Sequence, residues 1–406
     1  MEFDPVRYKK IFENLSDAQL NAMLFNRRRP AIWNLESFSI IKNSGCSVLT
    51  SYLLDDQYVK YNTKKNSKII HRKVKSIFEF DDFFELFFSI DGSSFWKVLK
   101  PTFMQLFTKR IDEIIHEIEM SKKIFEKYKP SSILIWSEIG STEQIVVKLA
   151  KKFNAKIVLL QHGFFYDSLS DGAFNMNKFQ GVYPVDADMY VVWGSVEQKH
   201  QISRGTPCDK ITVLGTPLYG DVYNLKSKNE MNNYVLLATS GPVKENALDL
   251  TVETIEKNYQ IIKEICMVVT KMKKKLVIKI HPSQDEFDPS QLAREISPNI
   301  VVTKTDNITQ LAKSCDVFVM IDASTVMLDA HLLKKPVISV MVKDSDYGIP
   351  SIMSKSCALT DINNFEKTLH KTLTDEIYRK SLIEKGTAYV NEYLINQGNA
   401  SKKLLE

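Results

Sequence analysis

Apolar and polar positions change rhythm along the chain. From Arg110 to Tyr128, Ile111, Ile114, Ile115, Ile118 and Phe125 recur at helical spacing with Glu and Lys on the other face, which predicts an amphipathic helix. From Ser131 onward short apolar runs alternate with segments of helical period. SSILIW (131–136) reads as a buried strand, STEQIVVKLAKKF (141–153) as a helix opened by a Ser/Thr cap, and AKIVLL (155–160) as the next strand. DMYVVWG (188–194) and KITVLG (210–215) follow, separated by the helical SVEQKHQISRG (195–205), which closes on Gly205. The stretch LGTPLYGDVYNLKSKNEMNN (214–233) breaks the rhythm with Gly, Pro, Asn and Lys and predicts a boundary.

The alternation then restarts. YVLLATS (234–240) predicts a strand, Glu245 to Lys274 mostly helix, and KLVIKI (275–280) another strand. IVVTK (300–304), a helix to Ser314, DVFVMI (316–321), a helix from Ser324 and PVISVMV (336–342) complete the series, and the last 45 or so residues read as helical. Strands alternating with helices predict parallel, doubly wound sheets, so the fold expected is α/β: two Rossmann-like domains in sequence. The expected domains are 1–215 on the acceptor side with a helical N-terminal part, a linker 216–232, a nucleotide-donor domain 233–380, and a C-terminal helix 381–406 crossing back to the first domain.

Composition narrows the function classes. A chain of 406 residues is long for one core, and 44% hydrophobic with 25% charged residues is ordinary for a soluble globular protein. The net charge of +5 is spread along the chain, which suits an anionic substrate or a membrane surface but not nucleic acid. Five cysteines without CxxC spacing predict a reduced, cytoplasmic protein with neither disulfides nor zinc. The N-terminus MEFDPVRYKK lacks a signal-peptide core, and no apolar run is long enough to span a bilayer. P-loop, GxGxxG and GxSxG motifs are absent, as are metal-spaced histidine pairs, so neither metal nor cofactor is expected.

In open α/β sheets ligands bind beyond the carboxyl ends of the strands, and four strand ends here carry polar groups. In IWSEIGST, Glu138 stands at a strand tip, as a carboxylate base or as an acid favoured by a helix start. In VLLQHGFF, His162 ends the strand on Gly163, expected to allow a sharp turn or a positive φ, and Gln161, Tyr166 and Asp167 crowd the same turn. An imidazole there can accept a proton from an acceptor hydroxyl; the alternative is a histidine satisfied by nearby backbone. In IKIHPSQDE, Lys279 and His281 could meet phosphate oxygens, with Pro282 fixing the turn. In VMIDASTVMLDAHLLKKPVI, Asp322, Ser324 and Thr325 gather at a helix start as an anion site, with simple capping as the alternative, and Asp329 could bind ribose hydroxyls. Ser240 and Gly241, at the end of YVLLATS, join the donor-binding set.

With these residues assembled, the chain resembles nucleotide-sugar-dependent transferases of the two-Rossmann GT-B architecture. It is most similar to the branch of CDP-glycerol glycerophosphotransferases and of the transferases of capsule and surface-carbohydrate synthesis. LQHG (160–163), HP (281–282) and DASTVMLDAHLLKKPVI (322–338) carry the resemblance, and VLGTPLYGD (213–221) resembles the domain junction of the wider superfamily. An HP motif and a Ser/Thr pair are also shared with bacterial sialyltransferases. The resemblance covers residues 130–345. It implies metal-independent transfer of a sugar or polyol phosphate from a CMP-, CDP- or UDP-activated donor to a surface-glycan or lipid-linked acceptor. His281, Ser324 and Thr325 would then receive the donor phosphate, His162 or Glu138 would deprotonate the acceptor across a cleft, and the cleft would close near Gly215–Asp221.

Two rival readings share this architecture. A UDP-GlcNAc 2-epimerase matches at HP and at the junction, but those enzymes carry Gly-Gly and Glu-Glu pairs where this chain has Ser324, Thr325 and Asp329. A non-catalytic nucleotide-sugar-binding scaffold is the other. In the first 130 residues, Phe83, Phe84, Phe87 and Phe88 at helical spacing predict core; the alternative is a membrane-facing surface helped by Arg27–Arg29, at the inner face of the membrane.

Overall fold

The computed structural model of the chain describes residues 31–33, 48–49, 81–90, 92–135, 137–216, 219, 222, 233–239, 252–281, 288–341 and 347–405. Ser240, Gly241, Pro282, the Arg27–Arg29 turn and most of the 216–232 linker lie outside them. The described chain divides into two compact units, one up to Leu160 together with 184–190, the other 161–183 together with 191–404.

The first unit opens with short strands β1 (Ala31–Trp33) and β2 (Val48–Leu49), helix α1 (Asp81–Phe87) and the small hairpin β3–β4 (Ser89–Ile90, Ser93–Ser94). Helix α2 then runs 33 residues, Trp96–Tyr128, fourteen residues ahead of the Arg110 start that periodicity predicts. Its first turns escape a pattern search because Pro101 interrupts them and because Val98 and Leu106 are exposed. Trp96 is buried and packs on Phe84, Phe88 and Phe103, with its indole N–H donated to Asp81 at 2.6 Å, so part of the aromatic stretch is a local core. Strand β5 (Ser132–Ile135), helix α3 (Ser141–Lys152) and strand β6 (Lys156–Leu160) follow the predicted alternation. Gly140, rather than Ser141 or Thr142, occupies the N-cap of α3, and the Glu143 carboxylate folds back over it. This sheet has the order β2-β1-β5-β6-β7-β8, with β7 at Met189–Val192 and β8 at Ile211–Val213. β5 and β6 pair in parallel, whereas β1 pairs antiparallel with both β2 and β5, so the sheet is mixed at that edge.

The second unit contains α4 (Asp171–Phe179) and α5 (Ser195–Ser203) before its sheet, which is fully parallel. Its strands are β9 (Tyr234–Ala238), β10 (Lys275–Lys279), β11 (Val301–Thr303), β12 (Val317–Ile321), β13 (Val337–Val340) and β14 (Ala358–Thr360). They lie in the order β11-β10-β9-β12-β13-β14, each pair in parallel register. All five residues of β9 and all five of β12 are buried. A strand covered on both faces reads as an unbroken apolar run, which is why YVLLA and VFVMI were legible. Each such side chain contributes about 1.5–3 kcal/mol of burial, which fixes the two central strands most firmly.

The connecting helices are α6 (Val252–Lys271), α7 (Ser290–Ile296), α8 (Ile308–Ser314), α9 (Met327–Leu332), α10 (Ser351–Ser354) and α11 (Ile362–Thr374). Two more, α12 (Glu376–Tyr393) and α13 (Ala400–Leu405), close the chain. Side-chain caps from Asn307, Asp361 and Asp375 open α8, α11 and α12. The segment after α12 lies along residues 193–215: Ile395 donates its backbone N–H to the Trp193 carbonyl at 3.0 Å, and the Asn396 side-chain Nδ2 donates to that of Leu214 at 3.1 Å. Gly194 and Gly215 allow that approach, since a Cβ on either would overlap the carbonyls of Tyr393 or Ile395. Among the described residues no helix is long and apolar enough to cross a membrane.

Candidate functional site

Strand order decides where the second unit can bind a ligand. In the order 3-2-1-4-5-6 the chain leaves β9 toward one side and returns through β12 on the other, so their carboxyl ends open a crevice. Thr239 follows β9, His281 follows β10, and Asp322 to Thr325 follow β12. The His281 backbone N–H is donated to Thr239 Oγ1 at 3.3 Å, so these two strand ends are tied together.

β12 ends abruptly. Asp322 takes φ +51, a left-handed conformation that costs any residue but glycine and that Asp and Asn tolerate best. The conformation is held from both sides: the Asp322 N–H bonds Val340 O at 3.0 Å, and Ser339 Oγ donates to Asp322 O at 2.9 Å. The chain is thereby turned out of the sheet and carries Ser324 and Thr325 through a turn into α9. That helix starts at Met327, three residues later than expected, and its N-cap residue Val326 supplies no side-chain cap. Tyr219, a residue the sequence reading passed over, donates its hydroxyl to the Thr325 carbonyl at 3.3 Å.

The turn Gln161–Gly163 lies in the same unit. Gln161 is buried and faces inward: its Oε1 accepts the Trp193 N–H at 2.8 Å, and its Nε2 donates to Gly163 O at 2.9 Å. The Trp193 indole N–H returns a bond to the Gln161 carbonyl at 2.9 Å. Gln161 thus brackets His162, which is exposed. Gly163 does not adopt a positive φ, contrary to one expectation for it. A Cβ there would lie 3.8 Å from Thr325 Cγ2, so the His162 turn and the β12 turn are neighbours. Tyr166 is half-buried, and its backbone is held at both ends by the fully buried Asn177 amide, N–H to Oδ1 at 2.9 Å and carbonyl from Nδ2 at 2.8 Å.

Three other expected site residues are engaged with the protein itself. Glu138, in the first unit, is 3% exposed; its carboxylate accepts the backbone N–H groups of Val185, Asp186 and Ala187 at 2.8, 2.9 and 2.7 Å. Lys279 is buried at the end of β10 and donates Nζ to the carbonyls of Ile280 at 2.6 Å and Lys304 at 2.9 Å; burial lowers its pKa. Asp329 is buried against α8, where Thr309 Oγ1 donates to it at 2.6 Å, and desolvation pushes its pKa up to about 6. Periodicity places such residues correctly on strands and helices but does not tell which way a polar side chain turns.

Two buried imidazoles lie outside the crevice. His200 Nε2 sits 3.2 Å from the Tyr183 hydroxyl and 3.4 Å from Asn177 Nδ2; His331 Nε2 is 2.9 Å from Ser356 Oγ. Desolvation brings the pKa of each down to about 4. No cluster of three His, Cys, Asp or Glu side chains suited to a metal occurs among the described residues.

Comparison with known proteins bears on this arrangement. The structure is similar to the UDP co-structure of S. aureus MnaA at 15% identity and TM-score 0.53, over 72% of this chain and 79% of that one. It is also similar to a putative UDP-N-acetylglucosamine 2-epimerase of Listeria monocytogenes, at 12% identity and TM-score 0.51 over 73% and 77%. A UDP-GlcNAc 2-epimerase of Methanocaldococcus jannaschii matches at 13% identity and TM-score 0.50 over 72% and 79%. These likenesses establish the GT-B, UDP-GlcNAc 2-epimerase-like α/β fold. No curated protein sequence matches the chain. A family model does, over residues 7–346, and by that match the chain is an enzyme belonging to the LIC12162 family transferases.

Proposed function

We propose that the chain transfers a sugar from a nucleotide-activated donor to a hydroxyl acceptor. The observation that supports this reading is the outward turn of β12: Asp322 at φ +51 leads the chain out of the sheet at the switch point, Ser324 and Thr325 follow it, and Thr325 neighbours the turn that bears an exposed imidazole. The donor diphosphate occupies the crevice, with Ser324, Thr325 and the His281 turn as its partners. Hydroxyl and backbone donors held in place stabilise the charge that builds on the leaving nucleotide. UDP in the MnaA co-structure makes a uridine donor the first to test, with CMP and CDP donors next.

His162 is the general base of this reading. It is exposed, Gln161 fixes the backbone on both of its sides, and an imidazole is a side chain suited to take a hydroxyl proton. The proton passes from the acceptor hydroxyl to the imidazole nitrogen as the oxygen attacks the anomeric carbon and the nucleotide departs. Glu138 is assigned to structure, because its carboxylate is occupied by three amides. Metal independence, a surface-glycan or lipid-linked acceptor and a peripheral membrane site belong to this proposal too.

The reading is tested by thermal shift with CMP-, CDP-, UDP- and GDP-sugars, followed by chromatography of the released nucleotide. One nucleotide class that stabilises the protein and is turned over is expected. No shift with any of them refutes the reading, and conversion of UDP-GlcNAc alone into UDP and ManNAc replaces it with the epimerase.

A further inference from the structure

The segment 161–168 is held by polar anchors along its length. Gln161 ties it to Trp193, Asn177 holds Tyr166 by both backbone groups, and Arg204 Nη2 donates to Ser168 O at 2.9 Å. Asp167 Oδ1 accepts the Ser351 N–H at 2.8 Å, which fixes the segment to the 347–351 turn. Phe165 turns inward, 3% exposed, against His200 at 4.6 Å. Its neighbours are only partly covered, although Phe164 also packs against the core. Phe164 and Tyr166 are half-buried and meet edge to face, centroids 5.5 Å apart at 69°. Tyr347, also half-buried, tilts at 58° to Tyr166 with centroids 5.4 Å apart.

This unit also has a closed aromatic cluster for comparison. Trp193, Tyr219, Tyr389 and Tyr393 are all buried, the last two stacked at 24°. Phe164, Tyr166 and Tyr347 differ in that they keep surface exposed; tilted packing is common to both groups, since Trp193 meets Tyr219 and Tyr393 at 85° and 86°. A rigid backbone that presents partly exposed, mutually tilted rings makes a corner into which another ring can pack.

We propose that Phe164, Tyr166 and Tyr347 form an aromatic subsite for a hexopyranose ring of the acceptor, next to His162; the assignment to the acceptor rests on the transferase reading above. A pyranose offers a face of C–H bonds that packs on the electron-rich face of an aromatic ring, while its hydroxyls project at the edge. The acceptor is chosen over the nucleobase because Phe164 and Tyr166 lie two and four residues from His162, the group that receives the acceptor proton.

The test is saturation-transfer NMR on the full chain, irradiating aromatic protons, with the methyl glycosides of glucose, galactose, mannose and N-acetylglucosamine as probes. UDP, CDP, CMP and GDP binding is measured alongside by calorimetry. Transfer to the ring protons of at least one glycoside is expected. Tyr166→Ala or Tyr347→Ala should each weaken that binding by about 2- to 12-fold, while Tyr→Phe at either position retains it and nucleotide affinity stays unchanged. If the alanine variants do not fold, Tyr166→Leu and Tyr347→Leu keep the apolar bulk and remove the ring. No transfer to any glycoside, or binding indifferent to loss of the rings, overturns the subsite. Transfer to the base protons of a nucleotide, with its affinity lost in the same variants, makes the rings a nucleobase site and overturns the assignment. A wild-type chain that binds glycosides at these rings but none of the nucleotides leaves a sugar site and refutes the transferase reading.

Discussion

Glu138 and His162 compete for one role in the sequence, and substitution separates them. Removing the Glu138 side chain leaves three backbone N–H groups without their acceptor. The Ala187 amide is in buried surroundings and water cannot replace the carboxylate there, a loss of about 1.5–3 kcal/mol for a charge-assisted bond. The Val185 and Asp186 amides are partly reached by solvent and lose about 0.5–1.5 kcal/mol each. Glu138→Ala is therefore expected to cost about 2.5–6 kcal/mol, and Glu138→Gln, which keeps one acceptor oxygen, about half of that. The assay is urea unfolding followed by tryptophan fluorescence. With m of about 2–3 kcal/mol/M, a loss of 4 kcal/mol lowers the midpoint by about 1.5 M. Stability unchanged in Glu138→Ala, with turnover abolished, would refute this reasoning and return the base to Glu138.

Further expectations follow from other parts of the structure. His162→Ala should lower turnover by about 10²–10⁴-fold at constant stability and nucleotide affinity, read from steady-state kinetics and calorimetry. Between pH 6 and 4 the unfolded chain takes up protons on His200 and His331, whose folded pKa values lie near 4, while the folded chain takes up one on Asp329, near 6. The balance is one extra proton on the unfolded chain. Stability from these groups therefore falls by about 1.4 kcal/mol per unit as pH drops, and His331→Leu should abolish that slope in a pH series of urea midpoints. Gly386→Ala would drive a Cβ into the buried imidazole of His331 and cost about 1–3 kcal/mol, with much of the loss recovered in the double variant His331→Ala, Gly386→Ala.

The parts of the fold that were legible are those in which burial dictates composition. YVLLA and VFVMI announced their strands because both faces are covered, and the alternation around them announced the parallel sheet. The first turns of α2 were hidden by Pro101 and by apolar residues left exposed. β1 escaped because three residues with an antiparallel partner give too little periodicity to detect. Asp322, Ser324, Thr325, His162 and His281 are singled out by position at strand ends, the one rule that depends on topology alone, and the structure keeps each of them at such an end. Thr239 and Tyr219 were missed: each meets the site through one hydrogen bond, from the His281 N–H and to the Thr325 carbonyl, that leaves no mark in the sequence. Glu138, Lys279 and Asp329 stand out as polar residues, but their side chains are held by partners 48, 25 and 20 residues away, respectively, with the adjacent Ile280 carbonyl also holding Lys279.

The most direct test of the central claim is donor turnover in wild type and His162→Ala, each incubated with the one nucleotide-sugar that stabilises the protein and analysed for released nucleotide and transferred sugar. Release coupled to transfer in wild type, and retained donor binding with turnover lost in His162→Ala, is the result predicted. Equal turnover in the two proteins, or donor binding by neither, would contradict the account.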